Sequence, residues 1–320
     1  MQYNSYTDKL KIAVFDLETA GLSSQNDMII SASFIDEDGE NLRQYFCDDP
    51  QSEYLLITKI CEEFESLDAV ITYNGDTFDI PFVKTRAKKY GMEDKYPHIW
   101  SIDIYKILKK YWTAGKLLPS LSQMSVEKAL GIDVLRTDTI DGGECIALYN
   151  RFLARGDEDA KEKILLHNAD DVRQLARISS QLPFIPFHQV AYENGYFFKV
   201  VNELTGSDMA GIMVSSVYET VNSFTVNAWT KPGMVPLSAF EEYFTLEYDS
   251  FSGAARLVIH PKELEDYLYV DLTEMPLETE DFEDLEYFAS NYLIIKKGGE
   301  IKYKEINRLI RGLISKIVYE

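Results

Sequence analysis

The sequence predicts an α/β domain with a mixed sheet flanked by helices over residues 1–184, and a smaller β-rich α+β domain over residues 185–320. Three observations carry this expectation. The first part alternates short apolar, strand-like runs with helical stretches. A break at Leu182-Pro183-Phe184-Ile185-Pro186 ends a long helical series and suits a domain boundary. Beyond it the texture turns to β-branched and aromatic segments. A chain of 320 residues is also long for one core and comfortable for two, since domains usually run to about 100–200 residues.

Element by element, residues 11–15 (KIAVF) read as a strand buried on both faces. Residues 28–35 and 41–47 form a hairpin around Asp36-Glu37-Asp38-Gly39, a strong turn signal. A helix over about 52–66 then crosses to a strand at 69–73, expected to join the sheet in parallel. Helical patterning covers 78–90, with Pro81 tolerated in the first turn and Gly91 as the stop. Further helices are expected at about 101–112, 120–130, 143–154 and 158–181. In the second domain strands are expected at 195–201, 211–218, 224–230, 243–249 and 254–260.

With 46% hydrophobic and 27% charged residues the composition is that of an ordinary globular protein, which sets aside disordered, collagen-like and membrane classes. Acids outnumber bases by 53 to 32, for a net charge of −21. Such a surface repels phosphates at long range and argues against a protein that coats duplexes, but not against an enzyme that meets nucleic acid in one metal-neutralised cleft. Cys47, Cys61 and Cys145 are odd in number and form no C-x-x-C pair, so they read as reduced thiols of a cytoplasmic protein. The opening MQYNSYTDKLKIAVFD lacks a basic region followed by a long apolar one, and no run of about 18 apolar residues occurs, so neither export nor a membrane is expected.

Three clusters of carboxylates stand out. Asp16 and Glu18 lie two residues apart at the end of the first strand, so the alternation of a strand points both to one face. Tyr73-Asn74-Gly75-Asp76-Thr77-Phe78-Asp79 carries a strand into a polar turn, with Asp76 as a capping or turn residue. Asp79 falls in the first turn of the next helix, where the dipole favours an acid. The third cluster is His167-Asn168-Ala169-Asp170-Asp171 in a long helix. At about 100° per residue, Asp171 falls among Ile164, Leu175 and Ile178 on the apolar stripe, whereas Asp170 projects with Lys163, Gln174 and Arg177. Asp170 is therefore expected in solvent, paired with Lys163 or Arg177. Asp171 is the informative acid, costly on an apolar face unless paired or metal-bound. His167 precedes it by one turn and can overlook the same cleft, although a histidine so placed is also commonly a satisfied, partly buried group. Together these acids supply the hard oxygen ligands that two Mg²⁺ or Mn²⁺ ions require.

Phe15-Asp16-Leu17-Glu18-Thr19-x-Gly21-Leu22, Asn74-Gly75-x-x-Phe78-Asp79-x-Pro81-Phe82 and the Asp171 helix resemble the three motifs of the DEDD 3′-to-5′ exonucleases, which have the ribonuclease H-like fold. The second motif is similar to that of proofreading domains in family B DNA polymerases. The layout of residues 10 to about 182 resembles the bacterial YprB-type ribonuclease H-like group, in which a Leu-Gly-Ile...Arg...Asp...Ile...Gly stretch, here 130–142, precedes the third motif. One position departs from the pattern: the family has Y-x-x-x-D or H-x-x-x-x-D, and this chain has His167-x-x-x-Asp171, histidine at the tyrosine spacing.

The resemblance implies a metal-dependent 3′-to-5′ exonuclease that hydrolyses phosphodiester bonds at single-stranded DNA or RNA ends and releases nucleoside 5′-monophosphates. It implies that Asp16, Glu18 and Asp171 hold the ion that activates water, that Asp16 bridges to a second ion, and that Asp79 reaches the second ion through water. His167 is then the general base; its ordinary pKa of about 6.5 suits neutral pH, and neighbouring carboxylates favour its protonated form. Asn74 and Phe78 contact the terminal nucleotide, Phe78 by stacking on a base or, alternatively, only by packing in the core. Asp103 is read as a helix cap or as a support for the ligands.

Charge in the second domain is segregated. Residues 263–290 hold 11 acids and no Lys or Arg, and residues 291–320 hold seven bases against three acids. Each stretch reads as a solvated face. Alternatively the basic end, with Tyr292 and Tyr303 interleaved, guides a single strand, and Lys84, Arg86, Lys88 and Lys89 form a competing phosphate track. A protein partner for this domain is a further expectation. Two other readings stay open: a catalytically weak ribonuclease H-like binding or regulatory protein, and an endonuclease cutting RNA in hybrids, which the Asn74/Phe78-Asp79 motif disfavours.

Overall fold

A computed structural model of the protein describes residues 10–319 except 94, 95, 97, 98, 139, 141, 183, 184, 203, 204, 232 and 233. One unit runs from Leu10 to Ile185 and a second begins at Pro186. Pro183 and Phe184, within the expected boundary, lie outside the described residues.

In the first unit β1 (Ile12–Thr19) pairs antiparallel with β2 (Ile29–Asp36) and parallel with β4 (Ala69–Thr72). β3 (Leu42–Phe46) and β5 (Trp100–Asp103) complete a mixed sheet in the order β3-β2-β1-β4-β5. Helices α1 (Glu53–Ser66), α2 (Asp79–Lys89), α3 (Ile104–Tyr111), α4 (Gln123–Leu130), α5 (Gly142–Arg155) and α6 (Glu158–Ser180) accompany it. The parallel crossover through α1 appears as expected. Two boundaries differ. β1 continues to Thr19 because β2 partners it along its whole length, so Asp16 and Glu18 lie inside a paired strand. Residues 100–103 are a fifth strand rather than the start of a helix, since four residues beside β4 gain a ladder that no local pattern announces.

Alternation along β1 divides the unit's interior. Ala13, Phe15 and Leu17 pack with Phe34, Ile57, Ile60, Phe64 and Phe82, the Phe15 ring lying 4.7 Å from Phe34 and 5.0 Å from Phe64. Burying such a side chain fully contributes about 1.5–3 kcal/mol. Asp16 and Glu18 point the other way, toward α6. There Ile30, Cys145, Tyr149, Phe152 and Ile164 make a second apolar cluster. Glu53, in the first turn of α1, is buried and accepts from the Ile29 N–H (2.9 Å), Arg86 Nε (2.8 Å) and the Tyr90 hydroxyl (2.7 Å). Arg86 is thereby taken out of the expected phosphate track: it is buried in an ion pair inside the unit. Lys88, also of that track, pairs with Glu93 at 3.3 Å.

In the second unit a six-stranded antiparallel sheet has the order β6-β7-β8-β11-β10-β9, formed by Tyr196–Val201, Asp208–Glu219, Phe224–Thr230, Ala254–Ile259, Phe244–Tyr248 and Leu237–Phe240. A smaller sheet joins β12 (Lys262–Leu264), β13 (Tyr267–Asp271), β15 (Tyr292–Lys297) and β14 (Phe288–Ala289), with β16 (Glu300–Ile301) beside β15. Two helices were not expected, α7 (Phe187–Asn194) and α8 (Tyr303–Tyr319). α8 buries Ile306, Leu309, Ile310, Leu313, Ile314 and Ile317 at three- and four-residue spacing against β6, β10, β11 and β15. Three bases of the basic end are engaged in pairs within the unit. Lys296 pairs with Glu219 (2.5 Å), Lys304 and Arg308 with Asp284 (3.3 and 3.1 Å), and Tyr303 packs 5.2 Å from Tyr192. Among the described residues no helix is long and apolar enough to cross a membrane.

Candidate active site

Four elements meet at the polar face of β1. The Asp16 carboxylate accepts from Asn168 Nδ2 of α6 at 2.8 Å. Asn168 is fully buried, and its Oδ1 accepts from the Ser31 and Ser33 hydroxyls of β2 at 3.1 and 2.6 Å, which fixes the amide's orientation. Oxygens of Asp16, Glu18 and Asp171 all lie within 4.8 Å of one another.

Asp79 arrives by a different route. β1 runs past its last β4 partner, at Val14↔Ile71, and the Leu17 N–H then serves the Asp79 carboxylate together with Asp79's own N–H. The turn before α2 is tight. Asn74 holds the left-handed conformation at φ 63°, and a side chain at Gly75 would meet Thr72 at 2.4 Å, so glycine is required there. Asp103 caps α3 through the Lys106 N–H (3.3 Å), as expected, and also accepts from the Asn74 and Asp76 N–H groups (2.9 and 3.3 Å) of the turn that leads to Asp79. Asp76 does not cap α2, where Phe78 holds that position; it pairs with Lys106 at 2.8 Å. Phe78 is half-buried against the core, its ring 5.4 Å from that of Phe82.

Electrostatically the site is short of cations. Burial pushes the Asp16 carboxyl well above its ordinary range, and Asp171, Asp79 and Glu18 push further. Glu18 is raised to about 7 by burial, against the pull of His167. Asp79 is likewise raised to about 7 by burial, in spite of its backbone hydrogen bonds. Asp171 is raised by burial against His167 and Arg136. An all-oxygen set of mutually repelling acids, Glu18 buried and Asp16 and Asp171 half-buried, is what hard divalent cations fit, and Asp16, Glu18 and Asp171 could hold one.

Asp170 corrects the helical-wheel expectation. It is buried, and accepts from the Thr137 N–H (2.5 Å), the Thr137 hydroxyl (2.8 Å) and the Asp138 N–H (2.8 Å), with Arg173 at 3.5 Å. Those donors hold its carboxyl below the ordinary range despite burial. The chain before α5 covers the helix face that the wheel assigned to water. The same stretch supplies the Arg and the Asp of the 130–142 pattern, to which the sequence assigned no role. Arg136 joins Asp171 (2.6 Å), Glu127 (2.7 Å) and Asp138 (3.2 Å). Asp138 binds His167 Nδ1, and His167 Nε2 lies 3.5 Å from Asp171 and 3.6 Å from Glu18. Burial alone would lower the His167 pKa, but Asp171, Glu18 and Asp138 outweigh it and raise it. Cys145, expected as a core thiol, is buried and also hydrogen-bonded to Glu18.

Residues 13–182 match the model of the RNase H superfamily. The chain is 26% identical over 172 residues to the uncharacterised protein YprB of Bacillus subtilis, covering 52% of this chain and 41% of that protein. It is 38% identical over 95 residues to a DNA polymerase of Methanocaldococcus jannaschii, covering 27% of this chain and 6% of the polymerase. The solved family B DNA polymerase of Pyrobaculum calidifontis is similar at a TM-score of 0.45 and 18% identity, covering 54% of this chain and 25% of that one. The chain thus spans less than half the length of each. The matched stretch contains Asp16, Glu18, Asp79, His167 and Asp171 and takes in more than half of the sequence, so the chain belongs to the RNase H superfamily.

Proposed function

We propose that the unit beginning at Leu10 is a 3′-to-5′ exonuclease that hydrolyses phosphodiester bonds at single-stranded DNA or RNA ends and releases nucleoside 5′-monophosphates. The observation that carries the reading is the convergence of Asp16, Glu18 and Asp171 within 4.8 Å, on the face where Asp79 also raises the Asp16 pKa. Asp16, Glu18 and Asp171 would hold one Mg²⁺ or Mn²⁺ ion, and Asp16 and Asp79 would face a second. Such ions supply a nucleophile from water and stabilise charge on the leaving oxygen. The chain's own part is positional. Asn168 holds Asp16 in one orientation, the Leu17 N–H holds Asp79, and Asp138 holds His167 by Nδ1 so that Nε2 is the atom available to take a proton. Asn74 and Phe78 contact the terminal nucleotide. Three free, buried cysteines accord with a reducing cytoplasm. One observation favours a second reading, a weak or regulatory protein: Arg136 occupies Asp171 as a cation would.

Incubation of end-labelled single strands of DNA and RNA with Mg²⁺ or Mn²⁺ tests the proposal. Stepwise release of mononucleotides is expected, with Asp16→Ala and Asp171→Ala each slowing it on the order of a hundredfold or more. Internal cuts or simple retention of the strand would overturn the exonuclease reading, and unchanged rates in both variants would remove the assigned site. A His167→Ala pH-rate profile matching that of the parent would exclude His167 as the base.

A further inference from the structure

We propose that Glu18, Cys145 and His167 form a second, softer metal site that takes a zinc-class ion and shares Glu18 with the all-oxygen site, so that filling it draws on one of that site's three ligands. One ligand atom from each lies within 4.8 Å of the other two, and all three residues are buried. β1, α5 and α6 each contribute one. Zinc bonds of about 2.0–2.3 Å to nitrogen, oxygen and sulfur require donors somewhat closer than this, so ligation asks for side-chain adjustment rather than rebuilding.

Two features point to a ligand beyond the proximity. Asp138 holds His167 Nδ1, which turns Nε2 toward Glu18 (3.6 Å) and Asp171 (3.5 Å). A carboxylate on the far nitrogen is the arrangement that fixes the tautomer and orientation of metal-binding histidines. The donor set also differs in kind from its neighbour. Thiolate, imidazole and one carboxylate suit Zn²⁺ or Co²⁺, whereas three carboxylates suit Mg²⁺ and Mn²⁺. On binding, the Cys145 thiol gives its proton to solvent as the sulfur–metal bond forms. One thiolate, one carboxylate and a neutral imidazole then balance a doubly charged ion, which is the condition for burying it. Cys47 and Cys61 lie in the other apolar cluster of the unit and belong to no such group among the described residues.

Binding itself does not depend on the nuclease reading; its effect on turnover does. The test is titration of the chelator-treated full chain with Co²⁺, read by the near-ultraviolet sulfur-to-cobalt absorption. One equivalent is expected to develop the band in the parent and in a Cys47→Ser/Cys61→Ser variant, and none in Cys145→Ser, whose hydroxyl can keep the bond to Glu18. Absence of the band from the parent, its loss in the double variant, or its persistence in Cys145→Ser would overturn the site. If the single variant does not fold, the double variant still decides, because Cys145 is then the one thiol left. In the nuclease assay, Zn²⁺ is expected to slow the Mg²⁺-dependent parent at least tenfold at a concentration that leaves Cys145→Ser unaffected. Equal inhibition of both would overturn the shared-ligand claim. A protein that shows the band but never hydrolyses an oligonucleotide would keep the zinc site and lose the nuclease reading.

Discussion

Glu53 and Glu18 are both glutamates, both buried, and both in the first unit, at 1% and 6% exposure. Their surroundings differ. Glu53 has a buried arginine, a phenol and a backbone N–H around it. Glu18 faces Asp171 and Asp79, with His167 as its nearest cation and a thiol as its donor. A carboxylate that builds the fold comes with its counter-charge in the same chain. One that is short of counter-charge, in a cluster of its own sign, stores repulsion that an ion from solution can relieve.

Removing the arginine's partner should have the largest effect. Glu53→Gln leaves Arg86 charged and buried, and is expected to cost about 3–5 kcal/mol in urea unfolding. Glu53→Leu with Arg86→Met should recover most of that, and a mild effect of the single change would break the contrast. Next in size is pH. The folded pKa values of Glu18 and Asp79, about 7, lie above their unfolded values. Their stabilising contribution is therefore full below about pH 4 and is lost as pH rises from there through 7, roughly 3–4 kcal/mol for each group. The raised His167 pKa acts in the same direction near neutrality, and the lowered Asp170 acts oppositely, only as pH falls through the acid range. Melting in chelator should thus weaken between pH 5 and about 7.5, and Mg²⁺ or Mn²⁺ should reverse this; a flat profile would contradict the stored repulsion. Asp16→Asn should raise stability in chelator on the order of 1 kcal/mol while destroying the proposed activity, whereas a variant that both melts earlier and keeps turnover would place Asp16 with Glu53. Smallest is Asp76→Ala, which removes a surface pair with Lys106 and should change unfolding by less than about 0.5 kcal/mol.

The acids themselves were legible because their signals are local. Two residues apart on a strand means one face for Asp16 and Glu18, and one turn apart on a helix means one cleft for His167 and Asp171; that strand and helix serve one site was implied by the resemblance to the exonuclease motifs. What failed was everything decided by distant chain. A helical wheel treats the face opposite the core as water, so it could not show Thr137 and Asp138 closing over Asp170. A basic helix face reads as available for phosphate until Glu53, 33 residues away, claims Arg86. β5 is four residues long and exists through its partner. α8 has the periodicity of a helix, with Ile306, Leu309, Ile310 and Leu313 in register, but its seven-base segment reads equally as a solvated face.

Asn168 has a consequence for how the site is assembled. Its amide oxygen is satisfied by Ser31 and Ser33, the two hydroxyls that β2 presents on that face. A slip of β2 by one residue would replace them with Ile30, Ala32 or Phe34, leaving the oxygen bare inside the protein. The same amide orients Asp16 through its nitrogen. A chain with the wrong hairpin register therefore cannot set its first acid, and the proposed metal binding becomes a readout of correct strand alignment.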